Sequence, residues 1–263
     1  MSWPPAMVGT IERRLLVNYR VDAEVLRRVV PPPFHPQIVA GVGLAGICLI
    51  RLADLRPAGM PRTIGLTTEN AAHRVAVEWD GPDGPRRGVY IPRRDTASRA
   101  TVLLGGRLFP GEHHRARFQV RESERHYEVA FTSVDGTAHV AVAAELTSVL
   151  SPGSVFTSLE EASEFFEQAP LGYSATGRTG HFEGVELHCG RWSVRPLLVE
   201  HVASSFFEDR SLFPRGTVEL DSALVMREIS ATWRARPELK DVAMGYEPSP
   251  AQLITVGPPS RCA

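Results

Sequence analysis

Proline and glycine, 21 and 22 residues, are spread along the whole chain and cut its apolar sequence into short runs. Proline lacks an amide donor and clashes inside a helix, so a sequence punctuated this often cannot sustain long helices. What it can build is many short strands joined by turns. The pattern therefore predicts a β-rich fold (α+β) with a few short flanking helices.

The runs can be placed along the chain. Residues 11–19, 39–52, 74–79 and 88–92 read as strands, and 116–120, 127–133 and 139–146 as an antiparallel meander. Asp135-Gly136 is its clearest hairpin turn, and Asp80-Gly81-Pro82-Asp83-Gly84-Pro85 is a second turn signal. Asp22 is placed to cap a short helix through Val29, which Pro31-Pro32-Pro33 then stops. Ser158 and Glu161 have capping-box spacing at the start of a helix over residues 159–168. Residues 180–202 look like another hairpin, and 221–233 fit strand or helix equally well. No repeat or linker divides the chain, so residues 1–263 read as one domain with a loosely ordered, Pro-rich tail from about 248.

Composition excludes several classes of function. The net charge of −1 gives no field for nucleic acid or an anionic membrane surface, and basic residues do not form a stripe with aromatics. Hydrophobic residues make up 43%, enough for a sizeable core. Three widely spaced cysteines, Cys48, Cys189 and Cys262, suit neither a disulfide framework nor a zinc cluster. Cys48, in the apolar run Gly46-Ile47-Cys48-Leu49-Ile50, reads as a small core residue. No signal-peptide pattern or membrane-length apolar run is present, so a cytoplasmic location is expected.

Of the 29 basic residues only one is a lysine, Lys240, in the polar context Pro237-Glu238-Leu239-Lys240-Asp241. Neighbouring acids raise a lysine pKa. A Schiff-base nucleophile needs the opposite.

Three stretches carry a family resemblance. They are Asn18-Tyr19-Arg20-Val21-Asp22 with the helix after it, Gly105-Gly106-Arg107-Leu108-Phe109-Pro110, and Phe213-Pro214 with Ala223-Leu224-Val225-Met226-Arg227 and Trp233. Together they resemble the acetoacetate decarboxylase-like superfamily, and within it a bacterial branch of unknown function. The resemblance implies an antiparallel β-barrel or cone around a mostly closed apolar pocket, and it suggests self-association. In the family's namesake a lysine follows a tyrosine–proline pair and a second lysine lowers its pKa. The matching stretch here is Leu108-Phe109-Pro110-Gly111-Glu112. Gly111 stands at the nucleophile's place and Glu112 at its neighbour's, and neither can form an iminium.

Three clusters could carry other chemistry. Arg93, Arg94 and Asp95, with Arg99 downstream, could clamp an anionic or carbonyl-bearing ligand, Asp95 orienting one arginine. On a strand Arg93 and Arg94 face opposite sides, so at most one points inward. Glu112, His113 and His114 are candidate acid–base groups, again with adjacent histidines on opposite faces. Glu69 or His73, in the stretch Glu69-Asn70-Ala71-Ala72-His73-Arg74, could reach the pocket, or cap structure locally. Tyr173, Trp192, Phe206, Phe207 and Trp233 either line the pocket or pack the core. No metal-ligand spacing is present, and no cofactor is expected.

Two function classes stand ahead of a third, a structural or interaction protein whose barrel is filled by side chains. One is an enzyme of lyase, isomerase or cyclase type, acting on a small carbonyl or carboxylate compound with acid–base and arginine groups. The other is a non-catalytic binding protein using the same cavity as a container. Both take a small-molecule ligand as partner.

Overall fold

The computed structural model describes residues 6–104 and 111–241. The Pro-rich tail and the Gly105–Pro110 motif lie outside the described residues. Thirteen strands form one sheet: β1 (Met7–Val21), β2 (His35–Pro36), β3 (Ile38–Val39), β4 (Val42–Pro57), β5 (Leu66–Gly81), β6 (Gly84–Thr96), β7 (His113–Glu122), β8 (His126–Ser133), β9 (His139–Leu146), β10 (Leu171–Ala175), β11 (His181–Cys189), β12 (Arg195–Ser204) and β13 (Val218–Lys240). Four short helices flank it: α1 (Ala23–Val29), α2 (Arg99–Leu104), α3 (Leu159–Glu167) and α4 (Ser205–Glu208). None of the described helices is long and apolar enough to cross a membrane.

The helix ends follow the side chains that cap them. Asp22 Oδ1 accepts from the amides of Glu24 (2.9 Å) and Val25 (3.0 Å) at the start of α1. Ser158 Oγ accepts from the Glu161 amide at 3.2 Å at the start of α3. The reciprocal half of the box is displaced by one residue, because Glu161 accepts from the Thr157 amide and hydroxyl instead, both at 2.7 Å.

The β-rich class expected from the punctuation is the class observed, but the sheet is not one simple antiparallel barrel. It is mixed: β6 runs parallel to both β7 and β10. Its pairings form two circuits. One runs β6-β7-β8-β9-β12-β13-β1-β4-β5 and returns to β6; the other runs β6-β10-β11-β13-β1-β4-β5 and also returns to β6. Strands β13, β1, β4, β5 and β6 belong to both. A strand shared in this way is covered on both faces, which explains why residues 15–19 of β1 and 43–49 of β4 are buried without alternation.

Two expectations change here. Residues 180–202 are not a hairpin: β11 pairs with β10 and β13, whereas β12 pairs with β9 and β13. Partners far away in sequence outcompete the local turn. The ambiguous segment 221–233 is strand, part of the 23-residue β13 that spans both circuits.

On one side of the shared strands lies the largest core, with Leu15, Val17, Ile47, Leu49, Val75 and Tyr127 all inaccessible to solvent or nearly so. Two smaller clusters lie towards the other side. One is built around Ile11, Met226 and Trp233, the other around Leu16, Cys48, Phe166 and Leu224.

A candidate functional site lined by arginine

A cavity of about 380 Å³ lies against the second circuit. Each of that circuit's seven strands contributes lining residues, and the end of α3 adds Phe166. Strand register explains its polar groups. One row of Cα partners crosses the sheet as Leu16, Cys48, Ala72, Arg94 and His113. The row on one side runs Arg14, Ile50, Asn70, and the row on the other runs Asn18, Gly46, Arg74. Residues in register across a sheet share a face. Arg14, Arg74 and Arg94 are therefore grouped around the small side chains of Cys48 and Ala72, which leave space open between them.

Arg94 donates from Nε to Ser174 Oγ at 3.0 Å. Its Nη2 is shielded from solvent and has no hydrogen-bond partner among the described residues. Burial pushes its guanidinium down to about 10, partly opposed by the Cys48 thiol, so it remains charged at neutral pH.

Arg74 is buried, donates to Asn18 Oδ1, and lies with its Cζ 4.8 Å from the centre of the Phe166 ring. It passes over Gly46, where a Cβ would stand 3.4 Å from Arg74 Nη2 and 2.5 Å from the Val17 carbonyl. Glycine is required there. Arg14 donates to Cys48 Sγ at 3.3 Å and lies 6.0 Å from the Trp192 ring centre.

His113 is the acid–base candidate that reaches this cavity. Its Nδ1 pairs with the Gly111 carbonyl at 3.1 Å. A carbonyl only accepts, so Nδ1 carries the proton and Nε2 keeps a lone pair. Burial first, and Arg94 second, push its pKa down to about 4, so the ring is neutral at pH 7.

The other sequence candidates are placed elsewhere. Glu112 is exposed and does not line the cavity. His114 points to the opposite face and bonds Asp135 Oδ2 at 3.2 Å. Arg93 also takes the opposite face; Asp95 accepts from its Nε at 2.8 Å and its Nη2 at 2.9 Å, which occupies both carboxylate oxygens. Asp95 borders the cavity but has no free charge to offer it.

Glu69 and His73 do not line the cavity either. On β5 the cavity is lined by Asn70, Ala72 and Arg74, with the small Ala71 also bordering it, and Glu69 and His73 have the parity opposite to Asn70, Ala72 and Arg74. Glu69 pairs with the fully buried Arg13, at 2.5 Å from Nη2, and Glu122 adds a contact at 3.1 Å. His73 is fully buried, meets Ser204 Oγ at 3.3 Å and packs against Phe206. Of the aromatic candidates, Trp192 and Trp233 line the cavity, while Tyr173, Phe206 and Phe207 pack in the large core.

Arg14, Arg74 and Ser174 were not among the sequence candidates, and Cys48, read from sequence as a small core residue, packs in a core cluster and also lines the cavity. The available signal was an arginine inside an apolar strand, as in Arg13-Arg14 between Ile11 and Leu15. Among the described residues, no group of three or more His, Cys, Asp or Glu side chains is placed to hold a metal.

The family of uncharacterized conserved proteins DUF2071 matches residues 9–224, most of the chain. The chain belongs to that family. Its fold is shared with solved acetoacetate decarboxylase-like structures. Acetoacetate decarboxylase from Legionella pneumophila is 13% identical over 90% of each chain, with a TM-score of 0.57. An acetoacetate decarboxylase-like enzyme from Sphingomonas wittichii is 12% identical over 90% of this chain and 93% of that one, with a TM-score of 0.56. The enduracididine biosynthesis enzyme MppR, solved with pyruvate, is 14% identical over 92% of this chain and 93% of that one, with a TM-score of 0.55. These identities carry the fold alone. No curated protein matches the sequence.

Proposed function

We propose that this DUF2071 protein holds a small carboxylate or carbonyl compound in the arginine-lined cavity and acts on it without a lysine Schiff base. The observation that carries the reading is Arg94. A shielded guanidinium nitrogen with no partner is costly. A carboxylate is the planar, two-oxygen acceptor that fits it. MppR was solved with pyruvate, a 2-oxo carboxylate, in the same fold.

Two features support chemistry without an imine. Lys240 is exposed at the end of β13 and does not line the cavity. Gly111, at the place the resemblance matches to the nucleophilic lysine, has φ +87°, and a Cβ there would meet Ser174 Cβ at 2.6 Å and Arg94 Nε at 3.4 Å. The Arg94–Ser174 contact takes up that space.

His113 supplies proton transfer. Its Nε2 lone pair belongs to a neutral ring beside Arg94. A bound anion offsets the positive charge that helps hold the imidazole pKa down, so ligand binding makes His113 a stronger base. This is the arrangement expected for proton abstraction next to a carbonyl, as in a lyase or isomerase.

The test is borohydride treatment of the protein with pyruvate and with acetoacetate, alongside calorimetric titration of the same compounds. The expected outcome is measurable binding with no gain in protein mass after reduction. A reduced adduct would overturn the imine-free reading, and absence of binding by any small carboxylate would overturn the ligand class.

A further inference from the structure

Among the described residues three guanidinium groups line the cavity, and their visible partners are neutral. Arg94 has the Ser174 hydroxyl. Arg74 has the Asn18 amide and the face of Phe166. Arg14 has the sulfurs of Cys48 and Met226 and the face of Trp192. Such partners orient a guanidinium but do not cancel its charge.

The acidic groups in the lining do not neutralise them. Asp95 is committed to Arg93 on the other face, and Glu167 is exposed. Of the lining histidines, His113 is neutral, and His188 is bonded to Glu186 at 2.8 Å.

Like charges grouped in one cavity repel and lose hydration, so a site of this kind is built around a ligand with more than one negative charge. The rows attach the three arginines at different places on the sheet. Arg94 is two strands from Cys48, about 10 Å at ~4.8 Å per strand, and Arg14 reaches Cys48 from the far side. Attachment points this far apart on the sheet suit a ligand with two acceptor groups. Between them the floor is Cys48 and Ala72, and apolar side chains including Leu52, Val185, Leu187 and Trp233 complete the walls.

We propose that the ligand is a short-chain dicarboxylate, with one carboxylate on Arg94 and the second between Arg14 and Arg74. This rests on the reading that the cavity takes a small carboxylate, and it names the class more narrowly. It also separates this cavity from one adapted to a monocarboxylate: two arginines beyond Arg94 would otherwise stay unneutralised.

The experiment titrates malonate, succinate and glutarate against the full chain by calorimetry, with butyrate as the monocarboxylate analogue and inorganic sulfate as a plain dianion. At least one dicarboxylate should bind at least tenfold tighter than butyrate and than sulfate. Arg14→Gln and Arg74→Gln should each lower dicarboxylate affinity at least tenfold and change butyrate affinity less than threefold. Arg74→Lys, which keeps the charge, should retain most of the preference. Thermal melts verify folding, and Arg14→Gln alone decides the matter if Arg74→Gln does not fold, because Arg14 is only half-buried. Equal affinities for glutarate, succinate and butyrate would overturn the dicarboxylate assignment and leave the broader function standing. Sulfate binding as tightly as any dicarboxylate would also overturn it. Failure of every carboxylate to bind, butyrate and pyruvate included, would remove the broader reading as well.

Discussion

Arg94 and His113 are Cα partners across the parallel β6–β7 pair, and both line the same cavity. A guanidinium whose Nη2 has no hydrogen-bond partner among the described residues stands beside a neutral imidazole, so under the proposed function anion binding and basicity are linked. Arg94 helps hold the His113 pKa down to about 4, and an anion on Arg94 offsets that effect.

Binding should therefore take up protons. Between about pH 4 and pH 6, His113 is mostly neutral in the free protein and gains protonation once a carboxylate is bound. Calorimetry in buffers of different ionisation enthalpy should show uptake of a fraction of a proton per ligand near pH 5. His113→Asn should abolish it while the carboxylate still binds.

His73 should contribute to acid sensitivity, as His113 does, and it can be tested apart from the cavity. Burial, with Arg93 adding to it, pushes its pKa from 6.5 down to about 3 in the folded protein. The unfolded chain binds the proton first, so the stabilisation is complete above about pH 6.5 and is lost as the pH falls towards 3. The slope is about 1.4 kcal/mol per pH unit from this one group. Urea unfolding at pH 7, 6 and 5 should show His73→Leu losing less stability on acidification than the parent protein, by roughly that slope. Parallel curves would contradict it.

Glu69 should matter for folding rather than for ligand. Its carboxylate neutralises Arg13, which has 0% side-chain exposure. Glu69→Ala leaves a buried guanidinium with Glu122 as its remaining partner, and breaking buried pairs costs about 3–5 kcal/mol. Glu122 reduces that loss to roughly the lower end of the range. Chemical denaturation should register the change, and carboxylate affinity should move less than twofold.

How much of this could be read from residues alone depended on locality. The caps at Asp22 and Ser158 and the β8–β9 turn at Asp135-Gly136 are short-range devices, and they sit where the sequence put them. The failure at 180–202 is non-local: nothing near β11 encodes its pairing with β13. The same division runs through the site. Alternation allows only one of Arg93 and Arg94, and only one of His113 and His114, to face a given side, but it cannot say which side holds a cavity. On β5 the unmarked parity proved to be the cavity side, so Arg74 lines it while Glu69 and His73 face away. Arg14 is brought to Arg94 only by the β1-β4-β5-β6 order, a relation with no signature in either segment.

Arg94 carries the account, and titration of pyruvate and succinate into the parent protein and Arg94→Gln tests it most directly. A charge-assisted carboxylate contact contributes about 1.5–3 kcal/mol, so the substitution should weaken both ligands by roughly tenfold to a hundredfold, with the melting temperature held within a few degrees. Unchanged affinity in a folded Arg94→Gln protein would contradict the assignment of the carboxylate to this site.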